Sequence, residues 1–518
     1  MTPGNHHDDR RPGPTTGPDL VLQHVQFGLS GPITDVRISA GVIAEVGNLD
    51  ASGAARIDGT GGTLLPGLRD RHVHMTQWAT GLQRVDLAAA DSAGAAAAAL
   101  ASAPSTDSEV LWGKNFRDAL WPDTPHKEIL DRAAPGRPVA LVSNDLHSVW
   151  LSSAALLMID LDHPTGLLRE ESAFDAIRRL PTAAPHRVDR WVLAAADLAA
   201  GRGVTALLDF EFADTITDWR RRQALRALPV RVEAAIYRPE LASVLDAGLR
   251  TGDPVPGTGG SVTVGPCKVL LDGSLNTRTA YCHRRYPGSD SVGLLTQDPA
   301  ELTRTMVTAA ERGVTFAVHA IGDAANHLAL NCFRDSGGSG RIEHAQLVDD
   351  QDLQRFGELG VIASVQPGHA PEDRDVADTH WAGVTGQAFP YRSLLAAGAV
   401  LELGSDAPVS RLDPWHAIAC AVYRTVDDRP AWHPEQSLTL EQALAASTGG
   451  RTVPAVGDVA DLVLTGMDPT TAAREELAQM PVRLTLLAGR VTHRSVPTDE
   501  DQASADQAYA DQAGSPTV

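Results

Sequence analysis

Short apolar runs separated by amphipathic or polar stretches set the pattern of this chain, most regularly from Gly203 onward. Residues 204–208, 230–236, 262–271, 314–319, 342–347, 361–366 and 400–403 are predicted strands, and most are followed by helical stretches. Asp298-Pro299-Ala300-Glu301 reads as a capping box with proline in the first turn, and Gly313 stands where that helix should stop. Thr439-Leu440-Glu441-Gln442 opens a later helix in the same way. Upstream, one more apolar run enters through Pro66-Gly67 and leaves as His72-Val73-His74. The seven strands and this one make eight, the count of a (β/α)8 barrel.

The two ends follow a different pattern. Residues 20–26, 36–46, 460–464 and 482–493 are short strands of mixed apolar and polar positions. Neither end has enough strands for a sheet with its own core, so 19–62 and 455–496 are expected to join in one small β-sandwich domain. The fold class is then α/β, a TIM-like barrel over 63–454 with a composite sandwich from both chain ends. Residues 93–99 are alanine-rich and helix-forming. From about 108 to 190 the rhythm is lost, with Trp112, Trp121 and Trp150 among prolines, and this stretch is expected to be an insertion covering the site. The Pro/Gly-rich 1–18 and the polar 497–518, which repeats Asp-Gln-Ala, are expected to be disordered tails.

Composition narrows the partners. Against 44 basic residues stand 65 acidic ones, a formal charge of −21, which argues against nucleic acid or an anionic membrane surface and leaves a small-molecule substrate. No run approaches the roughly 18 apolar residues of a membrane span, and no apolar stretch follows Arg10-Arg11 as a twin-arginine signal would require. Cys267, Cys282, Cys332 and Cys420 form no close pair, so neither a disulfide framework nor a thiolate zinc site is expected. A cytoplasmic, reducing location fits, and a homo-oligomer is compatible with it.

The candidate chemistry lies at the strand ends. Alternate strand residues share a face, so His72 and His74 can reach one metal ion. In a barrel of this kind the C-terminal strand ends converge, which adds Lys268, His319, His344 and Asp406. Taken singly, His72-Val73-His74 reads as an accidental or surface pair, His319 and His344 as core histidines and Asp406 as a helix cap. Lys268, inside an apolar run, must be paired or lose its charge. Four histidines, a lysine and an aspartate in barrel order are hard to obtain by chance.

With these residues in place the sequence resembles the amidohydrolase superfamily, and within it the amidohydrolase family 3 branch, which includes N-substituted formamide deformylases. The resemblance spans most of residues 20–495. It rests on Pro66-Gly67 with Asp70, His72 and His74, on Lys268 with Asp272-Gly273-Ser274 and Arg278-Thr279-Ala280, on His319-Ala320-Ile321-Gly322-Asp323, on Glu343-His344 and Gln366-Pro367, and on Gly404-Ser405-Asp406-Ala407-Pro408. It implies one or two divalent ions, zinc first, with iron and manganese not excluded by the ligand types. It further implies that His72 and His74 hold one ion, His319 and His344 a second, and an N6-carboxylated Lys268 bridges them. Asp406 would ligate the first ion and carry a proton from the attacking water to the departing nitrogen.

Two departures stand out. Arg69 and Arg71 flank Asp70 where related sequences have apolar or small residues, and facing away from the metal they are expected to meet the surrounding helices. An arginine-containing motif common in the family is missing from the stretch Trp381-Ala382-Gly383-Val384-Thr385-Gly386-Gln387, which leaves Trp112, Asp145, His147, Arg278 and His369 as weaker substrate-binding candidates. The expected activity is hydrolysis of a non-peptide C–N bond in a linear amide or an N-acyl or N-formyl compound. The alternatives are a cyclic amidase or deaminase using the same site, and a non-catalytic barrel that binds without turnover. A binding scaffold has no need of Asp406.

Overall fold

The computed structural model describes residues 19–495, apart from 103–108, 117, 119–120, 144–147, 170 and 182. The two expected tails lie outside the described residues. The chain divides into two compact units, one of residues 1–75 and 195–518, the other of residues 76–194.

In the first unit eight parallel strands run in chain order: β1 (Leu68–Val73), β2 (Val204–Asp209), β3 (Arg231–Ile236), β4 (Val262–Leu270), β5 (Phe316–Ala320), β6 (Gly340–His344), β7 (Ile362–Val365) and β8 (Leu401–Leu403). This is the expected TIM-like barrel. Its seam closes just past the end of β8, where the Asp406 N–H donates to the His72 carbonyl at 2.7 Å and the His74 N–H to the Ala407 carbonyl at 2.9 Å. The helix starts fall where predicted, but the capping box expected at Asp298–Glu301 is only half formed, because Glu301 pairs with Arg238 at 2.6 Å. The Asp298 carboxylate caps helix Pro299–Ala310 by accepting from the Ala300 N–H, and Thr439 and Gln442 cap helix Leu440–Thr448 reciprocally.

β6 stops at His344, three residues before the apolar run does, because His344 (φ +77°) and Ala345 (φ +42°) turn into the left-handed region. The run through Pro66-Gly67 is likewise two strands. Thr63–Pro66 pairs antiparallel with Leu462–Thr465, and only from Leu68 does the chain enter the barrel. Gly67 makes the switch: a Cβ there would lie 2.3 Å from the Thr205 side chain.

Strands from both ends of the chain form one eight-stranded sheet, which receives Thr63–Pro66 between Leu20–Phe27 and Leu462–Thr465. Leu22, Val25, Val36, Ile38, Leu64, Leu462, Leu484 and Leu486 make its core. The runs at 36–46 and 482–493 are each two strands folded back on one another, at Ala40-Gly41 and Ala488-Gly489.

The second unit carries its own five-stranded sheet, ordered Leu167–Arg169, Ser148–Leu151, Val139–Ser143, Leu111–Phe116, Val85–Asp86. The tryptophans that broke the rhythm help to hold it together. Trp150 is fully buried, 6.4 Å by ring centroid from both Phe116 and Trp121. Trp112 lies under the Arg84 guanidinium at 4.9 Å and packs on the core around Val110 and Val149.

Candidate metal centre

Four barrel strands and the segments after β1, β7 and β8 bring functional side chains to the same end. β1 carries His72 as its last residue but one, with His74 just past its end, β4 carries Lys268, β5 His319 and β6 His344, while Asp406 follows β8. The seam hydrogen bonds set Asp406 against the β1 pair: its Oδ1 lies 3.4 Å from His72 Nε2 and 3.5 Å from His74 Nε2. His369, which opens the short helix His369–Glu372 after β7, brings Nε2 to 3.8 Å from the other oxygen, Oδ2. Two donor sets result, each with ligand atoms within 4.8 Å of one another: His72, His74 and Asp406, and His344, His369 and Asp406.

Lys268 is buried, its Nζ 3.4 Å from His72 Nε2 and 4.1 Å above the centre of the Phe210 ring. The Phe210 ring also packs on His72, at 4.5 Å. His319 has its ring 4.5 Å from that of His344, but its Nε2 turns away to the Gly273 carbonyl at 3.2 Å and the Asp272 carboxylate at 3.5 Å. Asp272 is fixed by backbone N–H groups of Tyr281, Ile321 and Gly322.

Burial sets the electrostatics. It pushes His72 and His319 down to about 4, Lys268 adding to the effect, and His344 well below its ordinary value, so the imidazoles are neutral and ready to act as ligands. It likewise lowers Lys268 to about 8. Burial alone would raise the Asp406 carboxyl, but His72, His74 and His344 hold it well below the usual range. His344 (φ +77°) and Asp406 (φ +57°) both occupy backbone that non-glycine residues rarely adopt, a strain of about 1–3 kcal/mol each that places their side chains.

The β1 arginines divide. Arg69 is exposed and lies beside Asp413, Pro414 and Ser447 of the outer helices, as expected. Arg71 does not face the helices: it turns into the barrel, donating to both oxygens of Glu233 on β3 and, at 2.9 Å, to Glu402 on β8. Arg341 on β6 joins Glu402 to Glu343, and Glu343 Oε2 meets His72 Nδ1 at 2.6 Å. Contacts that skip strands in this way run through the barrel interior. The layer comprises two guanidinium and three carboxylate groups, leaving one negative charge in excess beside His72. A signal for it was present, since Glu233, Arg341, Glu343 and Glu402 are isolated charges within apolar strands and such groups must find one another. Asp70 ties the same ends together by accepting from the N–H groups of His72 and Ser405, although burial raises its carboxyl to about 6.

The donor set suits a divalent ion. Among the described residues, His344 Nδ1 and His369 Nε2 are buried without a hydrogen-bond partner, an arrangement that is expensive unless something else meets the nitrogen. The weaker substrate candidates fare differently. Asp145 and His147 lie outside the described residues, and Trp112 belongs to the second unit. Arg278 is exposed on the loop after β4 with a left-handed backbone (φ +56°).

Comparison with known proteins bears on the family and the fold. The profile described as "Amidohydrolase family" matches residues 55–493. The chain is similar to Protein LONG AFTER FAR-RED 3 of Arabidopsis thaliana, with 26% identity over 79% of this chain and 77% of that one. It is similar also to the N-substituted formamide deformylase of Arthrobacter pascens, with 25% identity over 88% and 94%. An uncharacterized metal-dependent hydrolase from Pyrococcus horikoshii OT3 shares the fold, with a TM-score of 0.77 at 22% identity over 88% of this chain and 99% of that one.

Proposed function

Because the chain belongs to the amidohydrolase family, whose members are metal-dependent hydrolases, and so acts on carbon–nitrogen bonds, we propose that it hydrolyses a linear amide or an N-acyl or N-formyl compound. The observation that carries this reading is the convergence of His72, His74, Lys268, His344 and Asp406 at one barrel end, with Asp406 between the donor sets. His72, His74 and Asp406 would hold one divalent ion, and His319 and His344 contribute toward a second. Zinc suits these nitrogen and oxygen donors.

Lys268, with its amine pushed toward the neutral form, is suited to carboxylation, which replaces a buried ammonium by an oxygen-donor anion able to bridge two ions. An ion held there supplies Lewis acidity and makes water more acidic. Asp406, ionised and within reach of both sets, accepts the proton of the attacking water and passes it to the departing nitrogen. Glu343 holds the Nδ1 side of His72, so that Nε2 faces the centre. The similarity to the Arthrobacter formamide deformylase supports a linear substrate.

The test is a screen of zinc-loaded protein against N-formyl, N-acetyl and cyclic amides, read by release of amine or ammonia. Turnover confined to linear compounds is expected. Turnover of cyclic amides alone would replace this reading by the cyclic amidase one, and a protein that binds no metal and turns over nothing would remove it.

A further inference from the structure

His369 follows Gln366-Pro367-Gly368 just past β7, and its backbone is firmly placed. Its N–H donates to the Gln366 carbonyl at 3.0 Å, and that same carbonyl accepts from the Tyr391 hydroxyl at 3.3 Å. The side chain is 7% exposed. Its Nδ1 faces the Gln346 side-chain amide at 3.2 Å, and its ring lies nearly parallel to that of His344, 6.2 Å away. The other ring nitrogen, Nε2, is buried with no hydrogen-bond partner among the described residues and points toward Asp406 Oδ2.

Two roles suit a histidine in this position. As a substrate contact it would carry its proton on Nε2, accepting at Nδ1 from the Gln346 amide nitrogen. As a ligand it would carry the proton on Nδ1 and offer the Nε2 lone pair. The oxygen and nitrogen of a glutamine amide exchange places by a half turn, and Gln346 Oε1 is itself buried without a partner. Turned so that Oε1 accepts from Nδ1–H, Gln346 gives His369 the support that metal-bound histidines commonly have, a second ring nitrogen donating to an oxygen. Gln346 lies two residues beyond His344, so one short segment would then supply both a ligand and the support of another.

The surroundings favour the ligand role. The donor atoms of His344, His369 and Asp406 are all within 4.8 Å of one another, close enough for one ion to reach all three. Among the described residues His319 does not fall in this group; its Nε2 is held by the Gly273 carbonyl and the Asp272 carboxylate, which leaves only its Nδ1 as a donor. We propose that His369 is a metal ligand which, with His344 and Asp406, holds the second divalent ion of the centre. The inference rests on the metal-hydrolase reading above and assigns a direct bond to a residue otherwise expected to touch only substrate.

The test is metal binding, independent of turnover. Full-length protein and the variants His369→Ala, His369→Asn, His344→Ala and His74→Ala, each checked for native circular dichroism, are stripped of metal and titrated with zinc against a chromogenic chelator. The titration is repeated with cobalt, whose visible absorption reports its coordination number and ligand field. Expected is a loss of zinc affinity of at least tenfold in both His369 variants, matching His344→Ala, with a change in the cobalt spectrum. Wild-type affinity and spectrum in both His369 variants, while His344→Ala and His74→Ala bind weakly, would overturn the inference and leave the hydrolase reading standing. A wild-type protein that binds neither ion would overturn both.

Discussion

Among the described residues the amine of Lys268 has no carboxylate in direct contact: it lies over the Phe210 ring and beside His72 Nε2, in a place where a charge is difficult to keep. Desolvation accordingly draws it down to about 8, and a neutral amine is the form that combines with carbon dioxide. Lys268→Ala should therefore lower both zinc content and activity, and short carboxylic acids, which can enter the vacated space, should restore part of each. Elemental analysis checks this, and a variant with full metal content would show that Lys268 does not bridge. His344 and Asp406 make a related point about single residues. Both hold left-handed backbone angles, yet nothing in Glu343-His344-Ala345 or Ser405-Asp406-Ala407 announces that conformation. It arises because the strand ends must turn side chains inward while the chain leaves for the next helix.

At the level of elements, the barrel interior is divided between an apolar part and the charged layer of Arg71, Glu233, Arg341, Glu343 and Glu402. Breaking a buried pair by removing one partner costs about 3–5 kcal/mol, because the remaining charge is left without compensation. Arg71→Met should destabilise the protein by that amount, and adding Glu233→Gln should recover part of it. Chemical denaturation of the three proteins checks this. A cost below about 1 kcal/mol for the single change would mean that the layer does not depend on Arg71. The strands themselves were legible from their apolar runs, since parallel strands covered on both faces are apolar throughout. Their interior charges were visible as well, but their pairing was not. Glu233 and Glu402 lie 162 and 331 positions from Arg71, and only barrel closure brings them together.

For the whole molecule, acid is the natural stress. His72 and His319 are held near 4 in the fold and would titrate at about 6.5 in the unfolded chain. Between those values the unfolded state binds protons that the folded state refuses, so stability falls as pH drops from 6.5 toward 4, by about 3 kcal/mol for each group. Chelator-treated protein should show this as a falling denaturation midpoint between pH 7 and pH 5. A midpoint that does not move would mean that these imidazoles are not buried in neutral form.

The order of apolar runs determined the eight-stranded barrel, and the histidines, lysine and aspartate at their ends determined which residues could form a centre. Both are local properties, periodicity and residue type, and both survive in a single chain without neighbours. Tertiary structure alone decided three things: that Arg71 turns inward, that the irregular stretch after β1 builds a sheet of its own, and that His369 comes within 4.8 Å of the donor atoms of His344 and Asp406. Each depends on distances between residues remote in the chain. Those distances are set by how the barrel closes at the β1–β8 seam, where two backbone hydrogen bonds bring Asp406 against His72 and His74.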